Sequence, residues 1–206
     1  MDTESELTDG RTELPTDFAE HAAIITGLDT PPETLEEWWA TVVKQYSGDD
    51  LAVELTDLYS DAPTRHEVHV NDRVRYAYCV LDALQAAVME EQTTVTVRSI
   101  DPVSSIPVTF TVSDDSVEAS PENALICFGS SIDPEDIEAI GSLAAWSLQD
   151  DKDEIHGAVC QYTNAFESEA TYEEWASKTG SITAPLPPAN VVPLLQRLPQ
   201  KSKPSQ

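Results

Sequence analysis

The chain has 206 residues, 40% of them hydrophobic, and a formal net charge of -27 at pH 7. Its length allows one large domain or two small ones. Because 38 acidic residues oppose 11 basic ones, its electrostatic field repels phosphates, and we expect no nucleic-acid partner. An acidic surface spread over the whole chain is typical of proteins from a high-salt cytoplasm, and an acidic cation-binding surface is the alternative interpretation.

The cysteine count limits the chemistry of the chain. Cys79, Cys127 and Cys160 are too few, and odd in number, for a disulfide framework. In a reducing compartment they remain thiols, which are ligands for soft metals. The sequence shows neither a secretory segment near Met1 nor an apolar run of transmembrane length, so we expect a cytoplasmic protein with no membrane partner.

The first third of the chain is predicted to be helical. Residues 1–15 are polar and acidic, which predicts disorder. A helix over Asp17–Ile25 should end at Gly27, and a second helix should cover Glu33–Tyr46. A third helix is predicted over Asp50–Tyr59.

Strands and helices mix in the middle of the chain. The alternating segment Arg65–Val70 predicts a strand, with a turn at Asn71-Asp72. Apolar residues at helical spacing predict a helix over Val74–Met89. The segments Thr93–Ile100 and Pro107–Val112 predict a two-stranded hairpin.

The remaining elements suggest how the chain is divided. They are a strand over Ala124–Phe128, a helix over 133–148, a strand over Ile155–Thr163, a helix over Thr171–Lys178 and an apolar helix over Val191–Leu198. We therefore predict an α+β fold in four parts. These parts are the disordered N-terminus 1–15, a small helical N-terminal domain 16–62, an α+β domain with antiparallel strands 63–184 and a Pro-rich C-terminal segment 185–206.

A thiol and a carboxylate lie three residues apart in the apolar run Tyr76–Leu84. In a helix, the β-carbons of Cys79 and Asp82 would be about 5–6 Å apart on one face. A buried carboxylate needs a partner, so Asp82 indicates either a helix cap or a proton acceptor for a nucleophilic or metal-binding thiol. The residues alone leave open that Cys79 and Cys160 are small buried hydrophobes, and they predict that Cys127 is a core residue.

Three blocks of the sequence match one family in order. The segment Arg73–Leu84 is similar to the pattern aromatic-Ala-aromatic-Cys-Ala-Leu-Asp-Thr-Leu. Pro107–Ser113 is similar to Pro-Val-Ser-Leu-Thr-Val-Ser, and Thr171–Lys178 to Thr-Ala-Glu-Asp-Trp-Ala-Ser-Lys. These are patterns of the organomercurial (alkylmercury) lyases, which the chain resembles over about residues 64–182. The same resemblance puts Cys160 at the position of the family's second catalytic cysteine.

The resemblance implies a reaction, the protonolysis of a carbon–mercury bond. Cys79, Asp82 and Cys160 would be catalytic and would also hold the mercury, which is both substrate and product. Thiolates suit this soft cation, and Asp82 would take a thiol proton and pass it to the leaving carbon. The resemblance further implies no organic cofactor and an organomercurial small molecule as substrate. Small thiols would assist, mercuric reductase would accept the Hg(II), and the N-terminal region would be winged-helix-like.

The chain also departs from the family pattern. Asp101 stands where several members have a further, non-catalytic cysteine, and residues 132–153 are extra. Two other functions remain open, a non-enzymatic thiol protein that binds Hg(II) or Cu(I) and an interaction protein that uses the N-terminal helices. Asp82 favours the lyase, because a pure soft-metal binder does not need a carboxylate there.

Overall fold

Two antiparallel sheets and five α-helices form the part of the chain that the structure describes. The structure is a computed structural model, and it describes residues 11–47, 52–90, 94–113, 116–133, 135 and 157–200. The helices are α1 Thr16–Thr26, α2 Leu35–Gln45, α3 Val80–Met89, α4 Glu169–Thr179 and α5 Pro188–Leu195. The strands are β1 Tyr59–Ser60, β2 His66–Val70, β3 Arg73–Ala77, β4 Thr94–Ile100, β5 Pro107–Ser113, β6 Val117–Ser120, β7 Leu125–Ser130, β8 Ala165–Phe166 and β9 Ile182–Leu186. The predicted α+β class is therefore confirmed.

The larger sheet supports the helix that carries Asp82. Its strands follow the order β1-β3-β2-β4-β5-β6, and every neighbouring pair is antiparallel. Along β4, buried and partly exposed residues alternate, as expected for a sheet with one face against the core. Helix α3 packs on this face against β2, β4 and β5, burying Ala83 and Leu84 completely.

The smaller sheet joins the N-terminal helices to the rest of the core. Its order is β8-β7-β9, and α1 packs against β9. The ring centroid of Trp38 lies 5.3 Å from that of Phe18 and 4.9 Å from that of Phe128. Because these aromatic residues belong to the same buried cluster as the residues of α3, one hydrophobic core runs through both parts. The predicted limits of the domains and the winged-helix likeness remain predictions.

Helices α1, α2 and α4 confirm their predictions, and α5 confirms the predicted apolar helix but begins and ends three residues earlier than predicted. Gly27 and Gly180 end α1 and α4 with positive φ angles of 65° and 67°, the left-handed conformation that glycine adopts most easily. Thr34 caps α2 by accepting a hydrogen bond from the backbone N–H of Glu37. In the described residues, the helix predicted over Asp50–Tyr59 is wrong, since a 3-10 turn at Leu55–Leu58 leads into β1.

The helix predicted over Val74–Met89 is wrong in its first part. Residues Arg73–Ala77 form β3, which pairs with β2 through a two-residue turn in which Asn71 has a φ of 54°. An Asn-Asp turn between alternating segments is a hairpin signal, and the pairing on both edges of β3 outweighs the apolar spacing that favoured a helix. Helix α3 therefore begins only at Val80, and Cys79 precedes it.

Two further predictions concern the region around Cys160. The strand predicted over Ile155–Thr163 is wrong for the residues described, because Cys160–Tyr162 form a 3-10 turn. The helix predicted over 133–148 and the disorder predicted for residues 1–10 lie outside the described residues. Of the rest of the predicted disordered N-terminus, Leu14 donates its backbone N–H to the carbonyl of Glu33 at 3.1 Å, so this part is ordered.

Candidate active site

The three predicted site residues meet at the N-terminus of α3. The Sγ of Cys79 lies 3.3 Å from Oδ2 of Asp82, and the Sγ of Cys160 lies 3.8 Å from the same oxygen. All three ligand atoms are within 4.8 Å of one another. Cys79 is buried, whereas Asp82 and Cys160 are partly exposed. Two sulfurs that are 81 positions apart in sequence therefore face a single carboxylate oxygen across a gap that one soft ion can bridge.

Capping explains how α3 positions Cys79 and Asp82. Cys79 is the N-cap residue, and its Sγ accepts a hydrogen bond from the backbone N–H of Asp82 at 3.5 Å. The side chain of Asp82 in turn accepts the S–H of Cys79. The spacing and the first bond match the Ser/Thr-x-x-Glu capping box, but here the carboxylate accepts the thiol S–H instead of the backbone N–H of the N-cap residue. The spacing of three residues thus serves the helix cap and the chemistry together.

The smaller sheet positions Cys160. The segment around the 3-10 turn runs antiparallel to β7, with hydrogen bonds of 2.8 Å from Ser131 N–H to the carbonyl of Ala158 and from Cys127 N–H to the carbonyl of Asn164. At its end, the carbonyl of Thr163 accepts the backbone N–H of Val80 at 3.4 Å. The turn is therefore joined directly to the first residue of α3, next to Cys79.

The electrostatics of the site favour one shared negative charge. Burial raises the pKa of Asp82 to about 6, although hydrogen bonds from the two thiols lower it in part. Burial raises the pKa of Cys79 well above its usual range, and the Asp82 carboxylate raises it further. For Cys160, the hydrogen bond from Cys79 lowers the pKa, but burial and Asp82 together raise it more. Near neutral pH the free site therefore holds two thiols and one carboxylate.

Cys127 is a core residue, as predicted. It is fully buried beside Phe166 and Tyr172, and burial raises the pKa of its thiol far above the usual range. Its Sγ donates to the carbonyl of Tyr162 at 3.2 Å. The third thiol of the chain therefore packs behind the 3-10 turn and is outside the cluster that Cys79, Asp82 and Cys160 form.

Asp101 is a structural carboxylate, a role that the sequence analysis does not predict. It is 1% exposed, and its carboxylate accepts hydrogen bonds from the backbone N–H groups of Val103, Ser104 and Glu167 at 2.7, 3.1 and 2.9 Å. The first two bonds fix the turn between β4 and β5, and the third ties that turn to the residue after β8. An Asp followed by Pro and two Ser is a turn signal, but the contact with Glu167 is not local and has no signal in the sequence.

We expect Asp101→Asn to lower the free energy of unfolding by about 2 kcal/mol, because one amide N–H would then face a backbone donor. Chemical denaturation would measure this loss. The variant Asp72→Asn, which makes the same substitution at an exposed residue of the turn between β2 and β3, is the matched control and should change stability by less than about 0.5 kcal/mol. Equal stability of Asp101→Asn and the unmodified protein would contradict the assigned role.

Comparison with known proteins finds one matching family. The family model described as alkylmercury lyase matches residues 59–141, less than half of the chain. The matched range contains Cys79 and Asp82 and ends before Cys160. The predicted family resemblance is thereby confirmed. The description of this family names a class of enzymes, the lyases.

A solved structure and the curated proteins complete the comparison. The crystal structure of the mercury-bound form of MerB2 is similar over 92% of this chain and 81% of that chain, at 16% sequence identity and a TM-score of 0.45. No curated protein matches the chain. Within the residues that the structure describes, no helix has the length and apolar character needed to cross a membrane.

Proposed function

We propose that the protein is an organomercurial lyase that cleaves carbon–mercury bonds by protonolysis. The observation that carries this proposal is the meeting of Cys79, Asp82 and Cys160 within 4.8 Å of one another. The family model supports the reaction class, because it matches the segment that holds two of these residues. The wider setting, with no organic cofactor, a cytoplasmic location and mercuric reductase as the acceptor of Hg(II), is part of the same proposal.

The first steps load the substrate on the two thiols. The sulfur of one cysteine attacks the mercury and displaces the substrate's second ligand, which leaves with that thiol's proton. The second sulfur then binds, and its proton moves to the Asp82 carboxylate, which lies 3.3 Å from Cys79 and 3.8 Å from Cys160. Binding of a soft cation releases thiol protons even when the free thiols have high pKa values. A small thiol is a suitable second ligand on the incoming substrate.

The last step breaks the carbon–mercury bond. The electron pair of that bond goes to carbon, which takes the proton from Asp82 and leaves as a hydrocarbon. Mercury stays with both thiolates as Hg(II), and Asp82 returns to its carboxylate form. A pKa of about 6 suits this group to accept and return a proton near neutral pH. Two sulfur donors also increase the electron density on mercury, which favours the protonation of carbon.

The test is the release of hydrocarbon from a simple organomercurial in the presence of excess small thiol. We expect Cys79→Ser and Cys160→Ser each to lower the rate of release by about a hundredfold or more, equivalent to a barrier about 2.7 kcal/mol higher. Gas chromatography of the headspace measures the product. Cys127→Ser is the matched control, since its hydroxyl can still donate to the Tyr162 carbonyl, and its rate should stay within about threefold of the unmodified protein.

Two results would count against the proposal. Tight binding of Hg(II) without any hydrocarbon release would favour the non-enzymatic soft-metal protein instead. Equal rates for Cys160→Ser and Cys127→Ser would show that the second thiol has no part in the reaction.

A further inference from the structure

We propose that Gly129 is a positioning residue for Cys160, and that the absence of a side chain at this point of β7 allows the second thiol to reach the site. A β-carbon built on Gly129 would lie 2.6 Å from the carbonyl oxygen of Tyr162, 2.8 Å from its β-carbon and 2.9 Å from Cγ2 of Thr183. The catalytic consequence of this placement rests on the proposed function.

The close contact occurs at the centre of a short pairing between β7 and the segment of Cys160. The bond from Cys127 to Asn164 lies on one side of Gly129, and the bond from Ser131 to Ala158 lies on the other. The segment is thus hydrogen-bonded to β7 at both ends, and between these two bonds its 3-10 turn packs closely against Gly129. Tyr162 contributes two of the three close atoms, one of them a backbone oxygen, so it can make room only if the turn itself shifts.

A shift of the turn would separate the two thiols unequally from Asp82. Cys79 and Asp82 both belong to the start of α3, and their contact of 3.3 Å does not depend on β7. Cys160 belongs to the turn, and its contact of 3.8 Å with Asp82 does. The turn is also bonded to Val80 through the Thr163 carbonyl, so a shift would change the approach of the turn to α3. A side chain at position 129 should therefore weaken the second thiol contact and spare the first.

The test compares Gly129→Ala with Gly157→Ala. Gly157 lies three residues before Cys160, has no positive φ angle, and nothing lies within 4 Å of a β-carbon built on it, so this variant is the matched control. Because a misplacement of about 1 Å can lower a rate about a hundredfold, we expect Gly129→Ala to lower kcat by about that factor with little change in KM. Gly157→Ala should stay within about threefold of the unmodified protein.

A second readout separates positioning from a general loss of structure. Hg(II) held by two protein thiolates resists a competing small monothiol, because the second bond is intramolecular. We expect Gly129→Ala to release Hg(II) at a monothiol concentration about tenfold or more lower, close to the value for Cys160→Ser, while its thermal unfolding still shows a folded protein. Gly157→Ala should retain Hg(II) like the unmodified protein. This readout decides the proposal even if the unmodified protein releases no hydrocarbon, an outcome that would overturn only the proposed function.

A further variant keeps the proposal open to refutation. Thr183→Ser, combined with Gly129→Ala, removes the Cγ2 contact and keeps the hydroxyl that bonds to Tyr172. We expect no rescue, and full rescue would overturn the proposal by placing the conflict on β9. If Gly129→Ala does not fold, the double variant decides, because it removes one of the three close contacts. A folded double variant should still show the lowered rate and the weaker retention of Hg(II), whereas a double variant that also fails to fold would overturn the proposal by showing that Gly129 is required for the fold itself. An unchanged rate and unchanged retention of Hg(II) in a folded Gly129→Ala would also overturn it.

Discussion

Asp82→Asn should release hydrocarbon about a thousandfold more slowly than the unmodified protein, within the usual range for the loss of a general acid–base group. Asparagine keeps the size of the side chain and can still accept a hydrogen bond from Cys79, so the thiols should keep their places. It cannot take a thiol proton and return it to carbon. Single-turnover release of hydrocarbon, from an organomercurial that carries a small thiol as its second ligand, measures the cleavage of the carbon–mercury bond directly. Release of the bound Hg(II) product does not limit the rate of a single turnover.

The same variant should still bind Hg(II). The two sulfurs provide the affinity for a soft cation, and a carboxylate oxygen adds little to it. Retention of Hg(II) against a monothiol should therefore match that of the unmodified protein. Asp101→Asn makes the same substitution at a buried carboxylate outside the site, and its rate, measured well below its unfolding temperature, should stay within about threefold. Hydrocarbon release by Asp82→Asn at the unmodified rate would mean that the proton reaches carbon from elsewhere.

The local part of the site could be predicted from the sequence. Cys79 and Asp82 are three residues apart, and the cap at the start of an apolar helix makes them neighbours, as their spacing indicated. The helix itself was predicted to begin six residues too early. The error lies in β3, whose residues fit both the apolar spacing of a helix and the alternation of a strand. Pairing with β1 and β2 makes this segment a strand, and local sequence does not show that pairing. The prediction of an adjacent thiol and carboxylate did not depend on this boundary.

The position of Cys160 could not be derived from local sequence. Its segment was predicted to be a strand, and it does lie along β7, but it pairs only at its ends and forms a 3-10 turn between them. The resemblance to the alkylmercury lyases suggested the contact with Cys79, whereas no spacing or periodicity did. The need for Gly129 is also non-local, because the atoms that exclude a side chain there belong to Tyr162 and Thr183.

Asp82→Asn should also stabilise the fold, by an amount that grows with pH. The pKa of Asp82 rises from its ordinary 3.8 to about 6 in the folded protein, mainly through burial. Below the lower value both states hold the proton, and the substitution has little effect. Between the two values the folded state keeps a proton that the unfolded state releases, so the unmodified protein loses stability as pH rises. Above about 6 the loss is complete and stays constant.

The size of the effect follows from the shift. A difference of about two pKa units at 1.36 kcal/mol each gives an upper bound of about 3 kcal/mol, and the partial exposure of Asp82 reduces it. A negative charge in the first turn of α3 interacts favourably with the helix dipole, so its loss in Asp82→Asn reduces the gain in stability by about 0.5 kcal/mol more. We therefore expect Asp82→Asn to be more stable by about 2 kcal/mol near pH 8 and nearly equal near pH 4.

Urea denaturation of both proteins across this pH range measures the difference. The other carboxylates titrate alike in both proteins, so their contributions cancel and the difference reports Asp82 alone. If the difference in stability does not change with pH, the pKa of Asp82 is ordinary. In that case Asp82 is not a proton acceptor whose pKa lies near neutrality, and that part of the mechanism fails. A difference that grows between about pH 4 and 6 would show that the ionised carboxylate destabilises the fold, and together with the loss of rate in Asp82→Asn it would mean that the site keeps this charge for the reaction and not for stability.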